Sequence, residues 1–473
     1  MGFLSSAGRA LPVLAAVLVL NAVPSGAESG WGPVGPANPH LGPLGSATMH
    51  GDAGSSDVTP LAGPGTGWVT PSGDPLAAAC PTILQGSDGM VVALCTAIVD
   101  RAPTVYLFDP AKGPLGPPAA KMALTKGSLL GGVYAYLDNE NRLVVVDGER
   151  RLLRIGHTAD HDGAWNLIVD ESTDLTGAIP AGDAVTGLVP DWAGNVWFAT
   201  GAGLVGTVAP TGTVATHRLP AGERVSNSIS SAPNGVAVAT THALYELRAD
   251  ASGAPQVSWR APYDRGPARK PGQLSWGTGS TPTYFGPGDG TEYLTIVDNA
   301  ADQVHLLVYR SGTGELVCNQ PVLTQGGPGS ENSPIGIGRS VFVAGTYGYP
   351  YPTVPDDAGP AQPAAAPFTG GMTRVDIDDQ GCHTVWDNKV RSAAVPKLSV
   401  ADGTIYTIIR LGLGLTTPLD GYAYGVIDAA TGEVEAKRPM SATIVADTLQ
   451  MAGLTTANGE LWQGTITGIM RIR

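Results

Sequence analysis

Charged residues are scarce in this sequence, and positive charge is the scarcer kind. Lysine and arginine number 27 in 473 residues, against 41 aspartates and glutamates, and they never form a long run. A basic patch is the electrostatic signature of nucleic-acid binding, and a polybasic segment that of binding to anionic lipid. The sequence therefore argues against both partners. The net charge of −14 favours solubility in an extracytoplasmic space.

Cysteine is rarer still, with four residues and no Cys-x-x-Cys pair. Zinc and thioredoxin-like chemistry therefore have no support. An even number of cysteines in an exported chain favours disulfides, although four cysteines allow three connectivities. Cys80 and Cys95 flank one apparent hairpin, while Cys318 and Cys382 follow turns at similar places in two successive repeats. We predict the disulfides Cys80–Cys95 and Cys318–Cys382; the alternative is four free buried thiols.

Long apolar runs are missing except near the N-terminus. Residues 10–23 are almost continuously apolar after the single charge of Arg9, and the small residues Ser25 and Ala27 follow. This pattern predicts a signal peptide, residues 1–27, cut after Ala27, with an uncleaved anchor as the alternative. The expected protein is secreted or held in the cell envelope, has no membrane span after cleavage, and is a monomer.

Glycine and proline, in contrast, are abundant, and their placement divides the chain. Residues 28–75 are rich in Gly, Pro, Ser and Ala with little apolar periodicity, which predicts a flexible lead-in. From residue 76 onward, glycines punctuate regular apolar runs instead. That pattern is typical of many short strands joined by tight turns, and it predicts one all-β domain over residues 76–473.

A repeated unit determines the expected fold. Each unit contains four strands, with an Asn-Gly or Asp-Gly turn such as Asp402-Gly403 or Asn458-Gly459 after the first strand. The units cover residues 80–124, 131–173, 184–218, 226–261, 281–321, 333–387, 396–438 and 450–473. Four-stranded units at this period predict a β-propeller of four-stranded antiparallel blades, eight in number. Seven blades is the second choice, and a right-handed β-helix or two sandwiches the residual alternative.

The last unit has only three strands. Ring closure therefore requires a strand from the N-terminal side, because an unpaired sheet edge would otherwise remain open. Residues 58–70 are the candidate segment for that strand.

Two sequence segments resemble a known family. Asp428-Ala-Ala-Thr-Gly-Glu-Val-Glu and Tyr309-Arg-Ser-Gly-Thr-Gly-Glu-Leu-Val resemble the blades of PQQ-like, quinoprotein-type propellers. The resemblance covers residues 80–473 in blade rhythm only, and it implies the propeller fold. It also brings PQQ, with Ca²⁺, into consideration as a cofactor. The adjacent cysteines that quinone dehydrogenases of this type tend to carry near the cofactor have no counterpart here.

Polar side chains cluster in the segments that enter each blade's innermost strand. Such segments share one face of a propeller, so we expect their side chains to line one mouth of the central channel. The predicted ligand-binding residues are Asn227, Lys270, Gln273, Ser280, Asp298, Glu331, Asn332 and Lys397. Within this set, Asp298 and Glu331, with Asn227, are weak candidates for a Ca²⁺ site. The structural alternative is that these groups only bridge neighbouring blades.

The remaining features leave the function open. The insertion from Tyr347 to Phe368 is either an aromatic lid or a mobile loop, and His157 with His161 forms either a metal site or a solvated turn. A Gly-x-Ser-x-Gly nucleophile motif is missing. The first hypothesis is a propeller that binds a small-molecule or protein ligand. The alternatives are an enzyme, either a Ca²⁺-assisted hydrolase or lactonase or a quinone-dependent oxidoreductase, and a protein-interaction scaffold.

Overall fold

The computed structural model describes residues 1–2, 30–113, 116–127, 133–412 and 416–473. Nearly all of the predicted signal peptide therefore lies outside the described residues. Within the described ranges, none of the helices is both long and apolar enough to cross a bilayer.

Eight sheets form the blades of a β-propeller, each blade with four antiparallel strands, as the repeat predicts, and one of the sheets carries an additional fifth strand. Two short strands precede the blades: β1 (Val58–Thr59) and β2 (Pro71–Pro75). Blade 1 contains β3 (Ala78–Gln85), β4 (Val91–Ala97), β5 (Pro103–Phe108) and β6 (Ala120–Ala123). Blade 2 contains β7 (Tyr136–Leu137), β8 (Leu143–Val146), β9 (Arg151–Ala159) and β10 (Trp165–Asp174). Blade 3 contains β11 (Val185–Pro190), β12 (Val196–Thr200), β13 (Leu204–Val208) and β14 (Val214–Arg218).

Blades 4 to 8 follow the same order. Blade 4 contains β15 (Ser230–Ala232), β16 (Gly235–Ala239), β17 (Ala243–Ala249) and β18 (Pro255–Pro262). Blade 5 contains β19 (Thr283–Phe285), β20 (Tyr293–Val297), β21 (His305–Arg310) and β22 (Leu316–Pro321). Blade 6 contains β23 (Ile335–Ile337), β24 (Ser340–Ala344), β25 (Met372–Asp378) and β26 (Gly381–Asn388). Blade 7 contains β27 (Lys397–Ser399), β28 (Thr404–Arg410), β29 (Tyr422–Asp428) and β30 (Val434–Ser441), and blade 8 contains β31 (Gly453–Thr455), β32 (Leu461–Thr465) and β33 (Gly468–Ile472).

The predicted hairpin turns form where left-handed backbone is needed. Gly403 and Gly459 follow the first strands of blades 7 and 8 with φ of 68° and 80°, values that glycine adopts without steric cost. The middle strands of each blade are buried on both faces; all four residues of β8, for example, are buried. Outer strands such as β10 are largely exposed. The hydrophobic core therefore lies between neighbouring blades, since no single blade can cover both of its faces.

Tryptophan side chains join some of the neighbouring blades. Trp259 on the outer strand of blade 4 packs so closely on Gly314 of blade 5 that a Cβ there would lie 2.7 Å from the ring. Trp386 of blade 6 packs in the same way on Gly432 of blade 7, where the distance would be 2.5 Å. The two glycines belong to the Thr-Gly-Glu turns of the repeat. Their missing side chains are what admit the indole rings.

The ring closes through the N-terminal side, as predicted, but with a different segment. Strand β2 pairs antiparallel with β33 and places Pro71 opposite Ile472. The closing strand is therefore residues 71–75, and the proposed range of 58–70 was wrong. Within that range, Val58 and Thr59 form β1, which pairs parallel with the innermost strand β27 of blade 7. The antiparallel partner of β33 must approach its outer edge, and only the chain just before blade 1 lies there.

Residues 38–59, which we call the plug, occupy the central channel. Their polar groups form hydrogen bonds with the innermost strands of seven successive blades. The bonded strand residues, from blade 1 to blade 7, are Gln85, Leu137, Pro190, Ser231, Tyr284, Gly336 and Leu398. Gln85, Leu137 and Pro190 end their strands, so this part of the plug lies toward the face opposite the entry segments. That end of the channel is filled by the protein's own chain.

Both predicted disulfides are present. Cys80–Cys95 links the first two strands of blade 1, and Cys318–Cys382 links the outer strands of blades 5 and 6, with Cα atoms 5.9 Å apart. All four cysteines are thereby paired. Disulfides persist in oxidising compartments, so the two bonds are consistent with an extracytoplasmic protein.

Candidate functional site

The entry segments of blades 4, 5 and 6 meet at one end of the channel. Asn227 donates a hydrogen bond to the Thr278 carbonyl at 3.3 Å. The Gln273 amide donates to the Ser330 carbonyl at 3.4 Å. These segments bring together five of the eight predicted residues: Asn227, Gln273, Ser280, Glu331 and Asn332.

Lys270 and Asp298 lie in a separate group beside this convergence. The Lys270 ammonium donates to the carbonyls of Ala300 and Pro328. Burial lowers the pKa of Lys270 to about 8, although the Asp298 carboxylate opposes that shift. Asp298 accepts hydrogen bonds from the backbone N–H of His305 at 2.7 Å and from its ring at 3.0 Å. Both charged groups are therefore occupied by local partners.

Lys397 lies farther along the channel, on the innermost strand of blade 7. Its ammonium donates to the Met49 carbonyl of the plug at 3.0 Å. Burial lowers the pKa of Lys397, while the carboxylates of Asp57 and Asp52 oppose the shift. Asp57 in turn accepts a hydrogen bond from the His50 ring at 3.0 Å. In the structure, Lys397 is thus a contact of the plug.

The residues suggested for a calcium set have separate local partners. Asp298 accepts hydrogen bonds from His305, and the amide nitrogen of Asn227 donates to the Thr278 carbonyl. The suggested metal site at His157 also does not form with His161. His157 pairs with Asp88 at 2.6 Å, whereas His161 groups with Asp160 and Asp162, all three exposed.

Glu331 occupies the most unusual environment of the predicted residues. Neither of its carboxylate oxygens has a hydrogen-bond partner among the described residues, although both are shielded from solvent. Burial raises the pKa of Glu331 well above its usual range, against a weaker opposite effect of the Leu274 N–H and the Arg269 guanidinium. The side-chain oxygen of Asn332, a residue only 2% exposed, is unpartnered as well.

Two tyrosines lie within electrostatic range of the Glu331 carboxylate. Tyr134 precedes the first strand of blade 2, opposite blade 6 in an eight-bladed ring, and Tyr351 belongs to the insertion in blade 6. Burial raises the pKa of both phenols, and the carboxylate of Glu331 raises them further. The charge of Glu331 therefore acts on a residue from across the ring. We call Glu331, Asn332, Tyr134 and Tyr351 the axial site.

Sequence reasoning missed Tyr134 and the supporting Arg269. Tyr134 lies in a glycine-rich, otherwise apolar entry segment, so a search for polar entry segments passes over it. Its position just before an innermost strand was the available signal. Arg269 lies beside the predicted Lys270, but its guanidinium donates to the carbonyls of Gln273 and Gly359 and so connects blade 5 to the insertion.

The insertion crosses the entry face. The backbone N–H of Gly348 donates to the Pro271 carbonyl, and that of Gln362 donates to the Arg269 carbonyl, both at 2.8 Å. Farther along, Asp357 forms an ion pair with Arg224 of blade 4. The insertion, suggested as an aromatic lid or a mobile loop, is thus attached to blades 4 and 5. It carries Tyr351 to the axial site.

A groove of 840 Å³ lies between the insertion and the entry face of blades 1 to 5. Its lining includes Ser226, next to Asn227, and Leu274, whose N–H acts on Glu331. Another part of the wall is the indole of Trp276, on which the Arg265 guanidinium stacks at 3.7 Å from the ring centroid. The groove therefore adjoins the axial site through the entry segments of blades 4 and 5.

Comparisons with known proteins support the fold and do not define a family. No protein-family model matches the chain. An uncharacterised protein of Archaeoglobus fulgidus is 29% identical over 193 residues, which are 38% of this chain and 35% of that protein. The matched region thus spans about a third of the relative's length.

Three solved structures are among those that align with this chain. A europium-containing methanol dehydrogenase aligns with a TM-score of 0.51 at 11% identity, covering 90% of this chain and 98% of the other. A streptogramin B lyase gives 0.43 at 10% identity, covering 86% and 97%, and BamB of Moraxella catarrhalis gives 0.38 at 12%, covering 68% and 92%. The strand topology and the methanol dehydrogenase alignment agree on the fold, an eight-bladed β-propeller.

Proposed function

We propose that this protein is an exported propeller that binds a small polar ligand at the axial site, which the ligand reaches from the adjoining groove. The carrying observation is the Glu331 carboxylate, which is buried at the channel mouth without a hydrogen-bond partner among the described residues. Burying a polar group without such a partner costs free energy, commonly about 1–3 kcal/mol. A ligand that supplies the missing partners would recover that cost.

The structural alternative, in which the predicted residues bridge blades, suits Glu331 poorly. Asn227, Gln273 and Ser280 do form bonds between entry segments. The Leu274 N–H of blade 5 acts on the Glu331 carboxylate, but neither carboxylate oxygen has a partner at normal hydrogen-bond geometry. Its removal should therefore leave the ring intact.

Export is part of the proposal. It rests on the predicted signal peptide, residues 1–27, and on the two disulfides. Together they favour an oxidising, extracytoplasmic location.

The enzymatic alternatives find less support in the residues present. PQQ is a tricarboxylate, so it needs donors and positive charge, whereas the unpartnered atoms of the axial site are acceptors. The residues therefore do not fit PQQ. Of the oxygen ligands suggested for a Ca²⁺-assisted hydrolase, Asp298 is already engaged by His305. Binding is the function that the described residues support best.

Thermal-shift screening of a library of small polar metabolites tests the proposal. We expect at least one compound to raise the Tm of the wild type and to lose that effect in Glu331→Gln. The unliganded variant should melt no lower than the wild type, since no hydrogen bond is removed. Glu315→Gln is the matched control, because the Glu315 side chain is 67% exposed on blade 5. Compounds that stabilise the wild type and Glu331→Gln equally would place binding elsewhere.

A further inference from the structure

The unpartnered atoms of the axial site share one chemical character. They are Glu331 Oε1, Glu331 Oε2 and Asn332 Oδ1, and all three are acceptors when Glu331 is ionised. They belong to consecutive residues at the entry to blade 6. The Asn332 amide nitrogen is already used, since it donates to the Gln450 side chain at 3.1 Å. This part of the channel therefore lacks hydrogen-bond donors for these oxygens.

The arginine whose charge acts on Glu331 does not supply them. The Arg269 guanidinium donates through Nε to the Gly359 carbonyl at 2.9 Å and through Nη1 to the Gln273 carbonyl at 2.8 Å. It lowers the pKa of Glu331 from a distance but forms no hydrogen bond with the carboxylate. A ligand has to bring its own donors to these oxygens.

A primary ammonium group has the matching chemistry. It carries three N–H donors and no acceptor, whereas a hydroxyl would bring acceptor lone pairs into a place already rich in them. A carboxylate or phosphate would add acceptors and negative charge. The phenol rings of Tyr134 and Tyr351, on which the charge of Glu331 acts, are compatible with a cation, because aromatic faces attract positive charge.

We propose that the ligand of the axial site carries a primary ammonium group, whose N–H donors bind the Glu331 carboxylate beside the Asn332 carbonyl oxygen. This inference rests on the proposed function and names the ligand class for that same site. The rest of the ligand would extend past Leu274 into the groove, where Trp276 offers a partly exposed indole. The class is thus an amine with a polar or aromatic body.

Three probes with one tail test the head group: propylammonium, its N-trimethylated form and 1-propanol. Isothermal titration calorimetry at constant ionic strength measures their affinities for the wild type, Glu331→Gln and the control Glu315→Gln. We expect propylammonium to bind best to the wild type and to Glu315→Gln. Loss of the charged hydrogen bonds should weaken it about 10- to 100-fold in Glu331→Gln.

Proton release gives a second readout that needs no variant. The carboxyl of Glu331 is shielded from solvent, and burial favours its neutral form against the opposite effects of the Leu274 N–H and Arg269. Binding of an ammonium favours the ionised form. Titrations in buffers of different ionisation enthalpy should therefore show release of up to about one proton per bound propylammonium.

The outcomes separate the ligand class from the proposed function. Equal affinity for the trimethylated probe or for 1-propanol would overturn the ammonium proposal. If 1-propanol binds the wild type and binds Glu331→Gln more weakly, the axial site is a ligand site, but the proposed ligand class is wrong. If every probe binds Glu331→Gln and the wild type with the same affinity, the ammonium proposal fails. If, in addition, no compound of the library loses its stabilising effect in Glu331→Gln, the proposed function fails as well.

Discussion

Gly279 lies directly against Glu331. A Cβ on residue 279 would fall 2.3 Å from the Cα of Glu331 and 2.6 Å from its carboxylate Oε2. The Ser330 carbonyl oxygen would be 2.5 Å away. The missing side chain thus lets the entry segment of blade 6 pack against that of blade 5. Close approach, rather than an unusual backbone angle, is what requires glycine here.

Replacement of Gly279 by alanine should displace residues 330–332. We expect Gly279→Ala to lower the free energy of unfolding by about 1–3 kcal/mol, as overpacking commonly does, and to abolish ligand binding at the axial site. Chemical denaturation and the library screen measure the two effects. Gly177→Ala is the control, since a Cβ there meets no atom within 4 Å. Native affinity in Gly279→Ala would show that this close approach does not shape the site.

Ring closure depends on a buried ion pair between Asp74 and Arg471. Their side chains are each 2% exposed and are 2.7 Å apart, and Arg471 stacks on Trp462 at 3.9 Å. We expect Asp74→Ala to destabilise the protein by about 3–5 kcal/mol, because it leaves a buried charge unpaired. The exposed pair of Arg310 and Glu315 is the control, where Glu315→Ala should cost about 0–1 kcal/mol. Equal effects of the two variants in urea denaturation would contradict this role.

Lys397 should matter for the plug rather than for the ligand. Its ammonium binds the Met49 carbonyl and faces the carboxylates of Asp52 and Asp57. We expect Lys397→Met to lower the free energy of unfolding by about 3–5 kcal/mol, since two buried carboxylates lose their cation. Affinity at the axial site, measured where the variant is fully folded, should persist. Lys121→Met, on an exposed position of β6, is the control. Weakened ligand binding with an unchanged free energy of unfolding would show that Lys397 belongs to the ligand site instead.

The stability of the protein should depend on pH through Lys270. Burial lowers its pKa from 10.5 to about 8, so between these values the folded chain has lost a proton that the unfolded chain retains. Stability therefore rises with pH across this window. We expect the difference in Tm between the wild type and Lys270→Met to shift in favour of the wild type from pH 8 to 10.5. Parallel pH profiles of the two proteins would show that the pKa of Lys270 is not lowered.

The blade pattern could be predicted because its signals are local. Asp402-Gly403 and Asn458-Gly459 set hairpin turns through their own backbone preferences, and alternating apolar runs between such turns pair with their neighbours in sequence. The repeat also predicted that Asn227, Ser280 and Glu331 lie on one side of the ring, since the segments that enter each blade share one face of a propeller. The positions of Lys397 and Asp298 did not follow, because a residue's place in the repeat says nothing about which partner its side chain reaches.

The sequence by itself determined the number of blades, the two disulfides and the face that gathers the polar segments, since each depends on turn chemistry and the repeat period. Only the tertiary structure decided that residues 38–59 enter the channel, that residues 71–75 close the ring, and that the charge of Glu331 acts on Tyr134 of the opposite blade. These contacts join segments tens to hundreds of residues apart. They depend on which acceptors and which space the closed ring leaves free, and that information exists only once all eight blades are in place.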